Sequence, residues 1–133
     1  MTVKEAIQVA VSADELDREA LVRYIEDGFV CAQACAECAT ACLQPAGAAE
    51  PGAVQRLDLQ CADVCEHTSR MLSQHGRYDA TVLRAQVELC AATCAACAED
   101  YERLADEAPG AAERAEACRR CEQACHAFLV NLV

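Results

Sequence analysis

The spacing of cysteines constrains this chain more than any other feature. In Cys31-Ala32-Gln33-Ala34-Cys35-Ala36-Glu37-Cys38-Ala39-Thr40-Ala41-Cys42 four cysteines stand four, three and four residues apart. An α-helix turns once every 3.6 residues, so such positions form one stripe along it. The intervening Ala, Gln, Glu and Thr suit a helix and make no wide apolar face of their own. Three further groups follow: Cys61 and Cys65; Cys90, Cys94 and Cys97; Cys118, Cys121 and Cys125. Together the four groups hold all twelve cysteines. Thiols therefore stand where an ordinary helix would present Leu and Ile.

The punctuation of the sequence sets four long helices, and no strand pattern competes. A short helix is expected over residues 3 to 11, followed by a capping box of Ser12 and Glu15. A long helix then runs from about 13 to 43, with Leu21, Tyr24, Gly28 and the first cysteine group on its core face. Two Pro and two Gly mark residues 44–52 as a loop. The second helix spans about 53–75, with Val54, Leu57, Cys61, Cys65, Thr68 and Leu72 on one face and His75-Gly76 at its end. Asp79 caps a third helix of about 80–107, whose stripe is Leu83, Val87, Cys90, Cys94, Cys97, Tyr101 and Leu104. Pro109-Gly110 breaks the chain before a fourth helix of about 111–131, carrying Cys118, Cys121, Cys125 and Phe128, with Leu132 just beyond.

Short loops between four helices predict an all-α fold: an antiparallel up-down-up-down four-helix bundle, with the short N-terminal helix as an extra. The whole chain, 1–133, reads as a single cysteine-lined domain. In that topology every cysteine group falls in the half of the bundle nearest the loops at 44–52 and 108–111. Leu21, Tyr24, Leu72, Leu83, Phe128 and Leu132 close the other half. The picture is a tube of thiols on a hydrophobic plug, with ions entering at the loop end.

Composition fits a soluble chain whose core is made of small side chains. Apolar residues make up 54%, yet only 4% are aromatic and none is Trp. Ala and Cys supply much of the apolar share, and free cysteine packs as a small hydrophobe, so a metal-free core is expected to fold. The formal charge of −11 disfavours nucleic acid and anionic membrane surfaces as partners. The N-terminal residues lack the basic region and apolar run of a signal peptide, and no run approaches a membrane span of about 20 residues. The expectation is a cytoplasmic chain, where thiols stay reduced and many cysteines argue for metal rather than disulfides.

Cysteines four apart on a helix hold their Cβ atoms about 5–6 Å apart. Two thiolates on either side of a metal need their sulfurs ~4.5 Å apart, taking metal–sulfur bonds of ~2.3 Å, which rotamer choice allows. A disulfide within one helix fits poorly, because it needs Cβ atoms near ~3.8 Å. Thiolate softness selects Cu(I) among biological metals. Charge points the same way. One thiolate with one Cu(I) is neutral, whereas four thiolates around Zn²⁺ leave two negative charges in a core expected to hold no Lys or Arg. Most sulfur neighbours are expected along a single helix, which disfavours the zinc tetrahedron. Cys42 and Cys97, at the ends of their groups, are expected to be short of sulfur partners.

Other residues rank below the cysteines. His67 and His126 are turned away from the stripes and His75 ends a helix, so each reads as a surface residue. Met71 sits beside the second stripe as core filler. Asp63, Glu66, Glu88 and Glu122 lie on outward turns. Cysteines used only as core residues would not need twelve stripe positions. The Cys35-x-x-Cys38 spacing occurs in ferredoxins, but there it lies on loops wrapping a cluster. Redox catalysis through C-x-x-C lacks its βαβ setting.

The set Cys31-x₃-Cys35-x₂-Cys38-x₃-Cys42, Cys61-x₃-Cys65, Cys90-x₃-Cys94-x₂-Cys97 and Cys118-x₂-Cys121-x₃-Cys125 resembles the copper storage protein family, over residues of about 13 to 131. The resemblance implies a cysteine-lined four-helix bundle that binds many Cu(I) ions through these twelve thiolates, in the cytosolic branch of the family. It also implies a homo-oligomer, commonly a tetramer. Relatives in that branch tend to carry cysteines along most of the bundle, whereas Tyr24, Leu72 and Leu83 hold one half here. The combined expectation is cytosolic Cu(I) storage or buffering by mass action, not an enzyme. A copper chaperone, a zinc or iron–sulfur protein and a metal-dependent enzyme stay open as alternatives. The enzyme is set against by the lack of an acid or base facing the thiols.

Overall fold

The structure, a computed structural model, describes residues 2–3, 15–43, 52–74 and 77–132. Four helices follow in order: α1 Glu15–Leu43, α2 Gly52–Ser73, α3 Ala80–Arg103 and α4 Ala111–Asn131. Each packs on its neighbours in sequence, and α1 also packs on α4, which closes the ring. This is an all-α four-helix bundle, and no strand occurs among the described residues. The expected extra helix at 3–11, the Ser12 cap and His75-Gly76 lie outside the described residues, apart from Val3, which is buried and helical.

Local chemistry explains the ends. Asp79 has extended backbone angles and its carboxylate accepts from the Thr81 amide at 2.9 Å, capping α3. Such a cap is worth about 1 kcal/mol. Helix α3 stops at Arg103, four residues before the expected 107. Leu104 has left helical geometry, and its amide turns back to Tyr101 at 3.1 Å, opening a run of turns over 104–107. The approach to Pro109 favours that break, since proline disfavours helical backbone in the residue before it. Gly110 then takes φ 80°, a left-handed conformation open to glycine, and its carbonyl receives the Arg114 amide to start α4.

One end of the bundle is a dry plug. Leu72, Leu83, Phe128 and Leu132 are buried, and Val87 and Met71 add to the layer. The Phe128 ring lies against Gly28 of α1, so that a Cβ on Gly28 would sit 3.5 Å from Cε2. Burying side chains of this size contributes about 1.5–3 kcal/mol each. The side chains of Leu21 and Tyr24, also assigned to the plug, lie outside the described residues. Between plug and thiols, Thr68 is fully buried. It donates to the Val64 carbonyl at 2.7 Å and accepts from Gln86 Nε2 at 3.0 Å, which leaves it satisfied. On the outside, Arg119 of α4 grips both oxygens of Glu102 at the end of α3, at 2.7 and 3.0 Å.

Candidate metal centre

All twelve cysteines are free and buried, with relative exposure of 5% at Cys42 and no more than 1% at the others. They share the half of the bundle away from the plug. Because α1 and α3 run toward the loop end and α2 and α4 run away from it, the cysteines fall into layers. Cys31 meets Cys125 at 3.7 Å next to the plug. The next layer joins Cys35 to Cys90 and Cys121 at 3.6 and 3.5 Å, with Cys65 at 3.8 Å from both Cys90 and Cys121. Further along, Cys38 lies 3.5 Å from Cys61, 3.6 Å from Cys118 and 4.0 Å from Cys94. Cys42 reaches Cys118 at 4.0 Å. The layers are tied together by Cys65, which is 3.4 Å from Cys94 and 3.9 Å from Cys61.

Two expectations change here. Among the described residues the sulfur contacts within 4.0 Å run almost wholly between helices, the Cys61–Cys65 pair being the exception. The reason is that the four stripes face one axis, so a thiol is nearer its counterpart across the bundle than the next turn of its own helix. Four-sulfur groups follow: Cys35, Cys90, Cys121 and Cys125; Cys38, Cys42, Cys61 and Cys118; Cys38, Cys65, Cys94 and Cys121. In each, the sulfurs lie within 4.8 Å of one another. A zinc tetrahedron is therefore not excluded by pairing along one helix.

The second change is at the loop end, where the core holds charged side chains. Asp58 of α2 and Arg114 of α4 are each only 6% exposed. Tyr101 is fully buried and its hydroxyl donates to Asp58 Oδ1. The Cys97 thiol donates to the same oxygen at 3.7 Å, and the Arg114 guanidinium lies 5.6 Å from the Tyr101 ring centroid. Thus an acid does face the thiols, and an arginine does enter the core. Neither Cys42 nor Cys97 is short of a sulfur partner, since the two sulfurs lie within 4.8 Å of one another, and Cys97 has the Asp58 carboxylate besides. Both residues were legible in principle: Asp58 precedes Cys61 by three positions and Arg114 precedes Cys118 by four, so each lies on its helix's stripe.

The other candidates stay outside. His67 is exposed, and His126 is exposed beside Glu122, its Nε2 3.8 Å from the carboxylate. Asp63, Glu66 and Glu88 are exposed, while Glu122 pairs with Arg119 at 2.8 Å. Met71 is buried in the plug region as core.

The packed thiols titrate unequally. Hydrogen bonding with Cys125 pulls Cys31 down to about 5, and hydrogen bonding with Cys118 pulls Cys42 down to about 5 and Cys38 to about 6. Their neighbours go the other way. Cys35 and Cys125 are pushed up chiefly by hydrogen bonds with Cys121, and Cys118 chiefly by Cys38, with burial adding to each. Burial, followed by its bond to Asp58, pushes Tyr101 up, so it keeps its proton. Such a column holds some thiolates ready for a cation while the rest exchange a proton for it.

No helix among the described residues is long and apolar enough to cross a membrane. A comparison with curated proteins finds no match. Solved structures do match. The copper storage protein Ccsp from Streptomyces lividans, loaded with 10 copper equivalents, is 44% identical with a TM-score of 0.65, covering 98% of this chain and 100% of its own. A structure described as copper loading to a cytosolic copper storage protein from the same organism, with five coppers, is 46% identical with a TM-score of 0.62, covering 88% and 98%. The family model for the copper storage protein, Csp, matches residues 17–130. A column of buried thiols in a four-helix bundle, matched over nearly its full length in both sequence and structure, makes this chain a member of the copper storage protein family.

Proposed function

We propose that the chain stores or buffers Cu(I) in the cytoplasm, with all twelve cysteines as ligands and without catalytic turnover. The observation that carries this reading is the continuity of the column: each cysteine sulfur has another within 4.8 Å. Cu(I) with bridging thiolates builds clusters through such a column, each sulfur serving two ions, and about one monovalent ion per thiolate keeps a buried core close to neutral. Membership of the copper storage family supports it, as do the copper-loaded Streptomyces relatives. The whole of residues 1–133 acts as one cysteine-lined unit in this reading. A homo-oligomer, up to a tetramer, is supported by apolar side chains left open on α1, with Phe29 73% exposed and Val22 and Val30 more than half exposed.

Titration of the reduced protein with Cu(I) against a competing chelator tests the storage reading. Saturation at about 10–12 ions per chain is expected. Saturation at one or two would instead favour the copper-chaperone reading, which needs a single exchangeable site. Light scattering of the same sample reads the oligomer.

A further inference from the structure

The last layer of the column differs from the rest in donor chemistry. Sγ of Cys42, Sγ of Cys97 and a carboxylate oxygen of Asp58 lie within 4.8 Å of one another, and all three residues are buried. The other groups are sulfur alone. We propose that Cys42, Asp58 and Cys97 form a mixed-donor site at the loop end, sharing Cys42 with the group of Cys38, Cys61 and Cys118, for one divalent cation of borderline softness, with Zn²⁺ as the natural occupant.

Charge separates this site from the column behind it. Two thiolates and a carboxylate carry three negative charges. A monovalent Cu(I) leaves two of them uncompensated in a buried place, whereas a divalent ion leaves one. Arg114, itself buried, sets a positive charge against the Tyr101 ring, whose hydroxyl bonds to Asp58. With a divalent ion the layer is close to neutral, which is the condition for keeping charge buried at low cost. Elsewhere the described column has no such arginine beside it, and monovalent ions balance the thiolates one for one.

Ligand type agrees. Carboxylate oxygen joins readily in zinc coordination, while all-thiolate surroundings favour Cu(I). Tetrahedral zinc with bonds of ~2.3 Å to sulfur and ~2.0 Å to oxygen places its donors roughly 3.5–3.8 Å apart. The Asp58–Cys97 separation of 3.7 Å already meets that. Three protein donors leave the fourth position for water, as in open zinc sites. Tyr101 supplies the hydrogen bond that orients a ligating carboxylate from behind. Binding breaks whatever S–H bonds Cys42 and Cys97 still hold and forms two metal–sulfur bonds. The protons leave to solvent, Asp58 gives its carboxylate, and no electron moves.

With Zn²⁺ bound, Cys42 and Cys97 are withdrawn from the copper column and ten cysteines are left for Cu(I); in the zinc-free chain all twelve serve it. The test uses the full, reduced, metal-free chain under anaerobic conditions. Co²⁺ serves as the probe, because its visible bands report tetrahedral thiolate coordination, and Zn²⁺ as the competitor. One Co²⁺ per chain is expected, displaced by one Zn²⁺. Asp58→Asn should weaken Co²⁺ binding by at least about tenfold. Asp63→Asn, an exposed acid on the same helix, should leave it within about twofold, since no donor is lost. X-ray absorption of the wild-type zinc form gives a second reading that needs no variant: two sulfurs with oxygen donors are expected. A four-sulfur shell, no binding near one equivalent, or an unchanged Asp58→Asn each overturns the site. Cu(I) titration of the same preparation reads storage separately, so either conclusion can fail alone.

Discussion

Tyr101 of α3 and Asp58 of α2 are joined by a hydrogen bond, hydroxyl to carboxylate, across the loop end of the thiol column. Both are buried, so neither has water as a full substitute. Tyr101→Phe keeps the ring and its contact with Arg114 while removing the donor. Asp58 keeps the Cys97 thiol as a donor, so the loss is that of one hydrogen bond, about 1 kcal/mol. We expect the midpoint of urea unfolding of the metal-free protein to fall accordingly, with helical circular dichroism retained. An unchanged midpoint would mean that the Tyr101 hydroxyl adds nothing to stability beyond the other partners of Asp58.

Gly28 offers a change in the opposite direction. It lies inside α1, where glycine costs about 1 kcal/mol relative to alanine. A Cβ there would meet the Phe128 ring at 3.5 Å, an ordinary packing distance. Gly28→Ala should stabilise the metal-free bundle by about 0.5–1 kcal/mol and leave copper capacity unchanged. Destabilisation would show that the ring cannot tolerate the added methyl.

Position in the column should set the effect of losing a sulfur. Cys65 touches Cys61, Cys90, Cys94 and Cys121 at 3.4–3.9 Å, whereas Cys31 meets Cys125 at the plug margin. Cys65→Ser is expected to lower Cu(I) capacity by about two or more ions and Cys31→Ser by about one, since bridging sulfurs serve several ions. Equal losses measured by metal analysis would count against a bridged column.

Acid should empty the column, and the order follows from the shifts. Hydrogen bonding with Cys125 and Cys118 holds Cys31 and Cys42 at about 5, so both are thiolates at neutral pH. Cys35, pushed up chiefly by Cys121, and Cys118, pushed up chiefly by Cys38, keep their protons there and must release them to bind. Copper affinity should therefore rise with pH through neutrality, with proton uptake on release, and fall more steeply below about 5, where Cys31 and Cys42 protonate as well. Chelator competition at pH 7.5 and pH 4.5 reads this directly. Equal affinities at the two values would contradict thiolate ligation.

Entry from the loop end predicts a kinetic difference. Cys42 is the most exposed of the twelve and lies next to that end, while Cys90 is fully buried near the plug. Cys42→Ser should slow Cu(I) uptake more than Cys90→Ser in stopped-flow mixing. The reverse order would point to entry past Leu72 and Leu83.

The cysteine register was readable because a helix imposes one period on every stripe, and twelve residues of one type report it without ambiguity. Helix pairing followed from the short loops. Contacts between helices were not readable, because the rotation of each helix about its axis depends on what all four present together. That is why the nearest neighbour of Cys38 is Cys61 on α2 rather than a thiol on α1. The burial of Asp58 and Arg114 is hidden in the sequence for a different reason. Their stripe positions were visible, but acids and arginines are rarely buried unless paired, and the pairing at Tyr101 brings together three separate helices. The end of α3 is hidden because Leu104 continues the apolar period after the backbone has turned.

The plug of Leu72, Leu83 and Phe128 has a consequence for the life of the molecule in a cell. Because this layer packs without any metal, an emptied chain is expected to keep its fold. Proteases that recognise loose chains should then gain no purchase when the cargo leaves, which limited proteolysis of the metal-free form reads directly. On that footing abundance and occupancy are separate quantities: the vessel can be drained without being discarded.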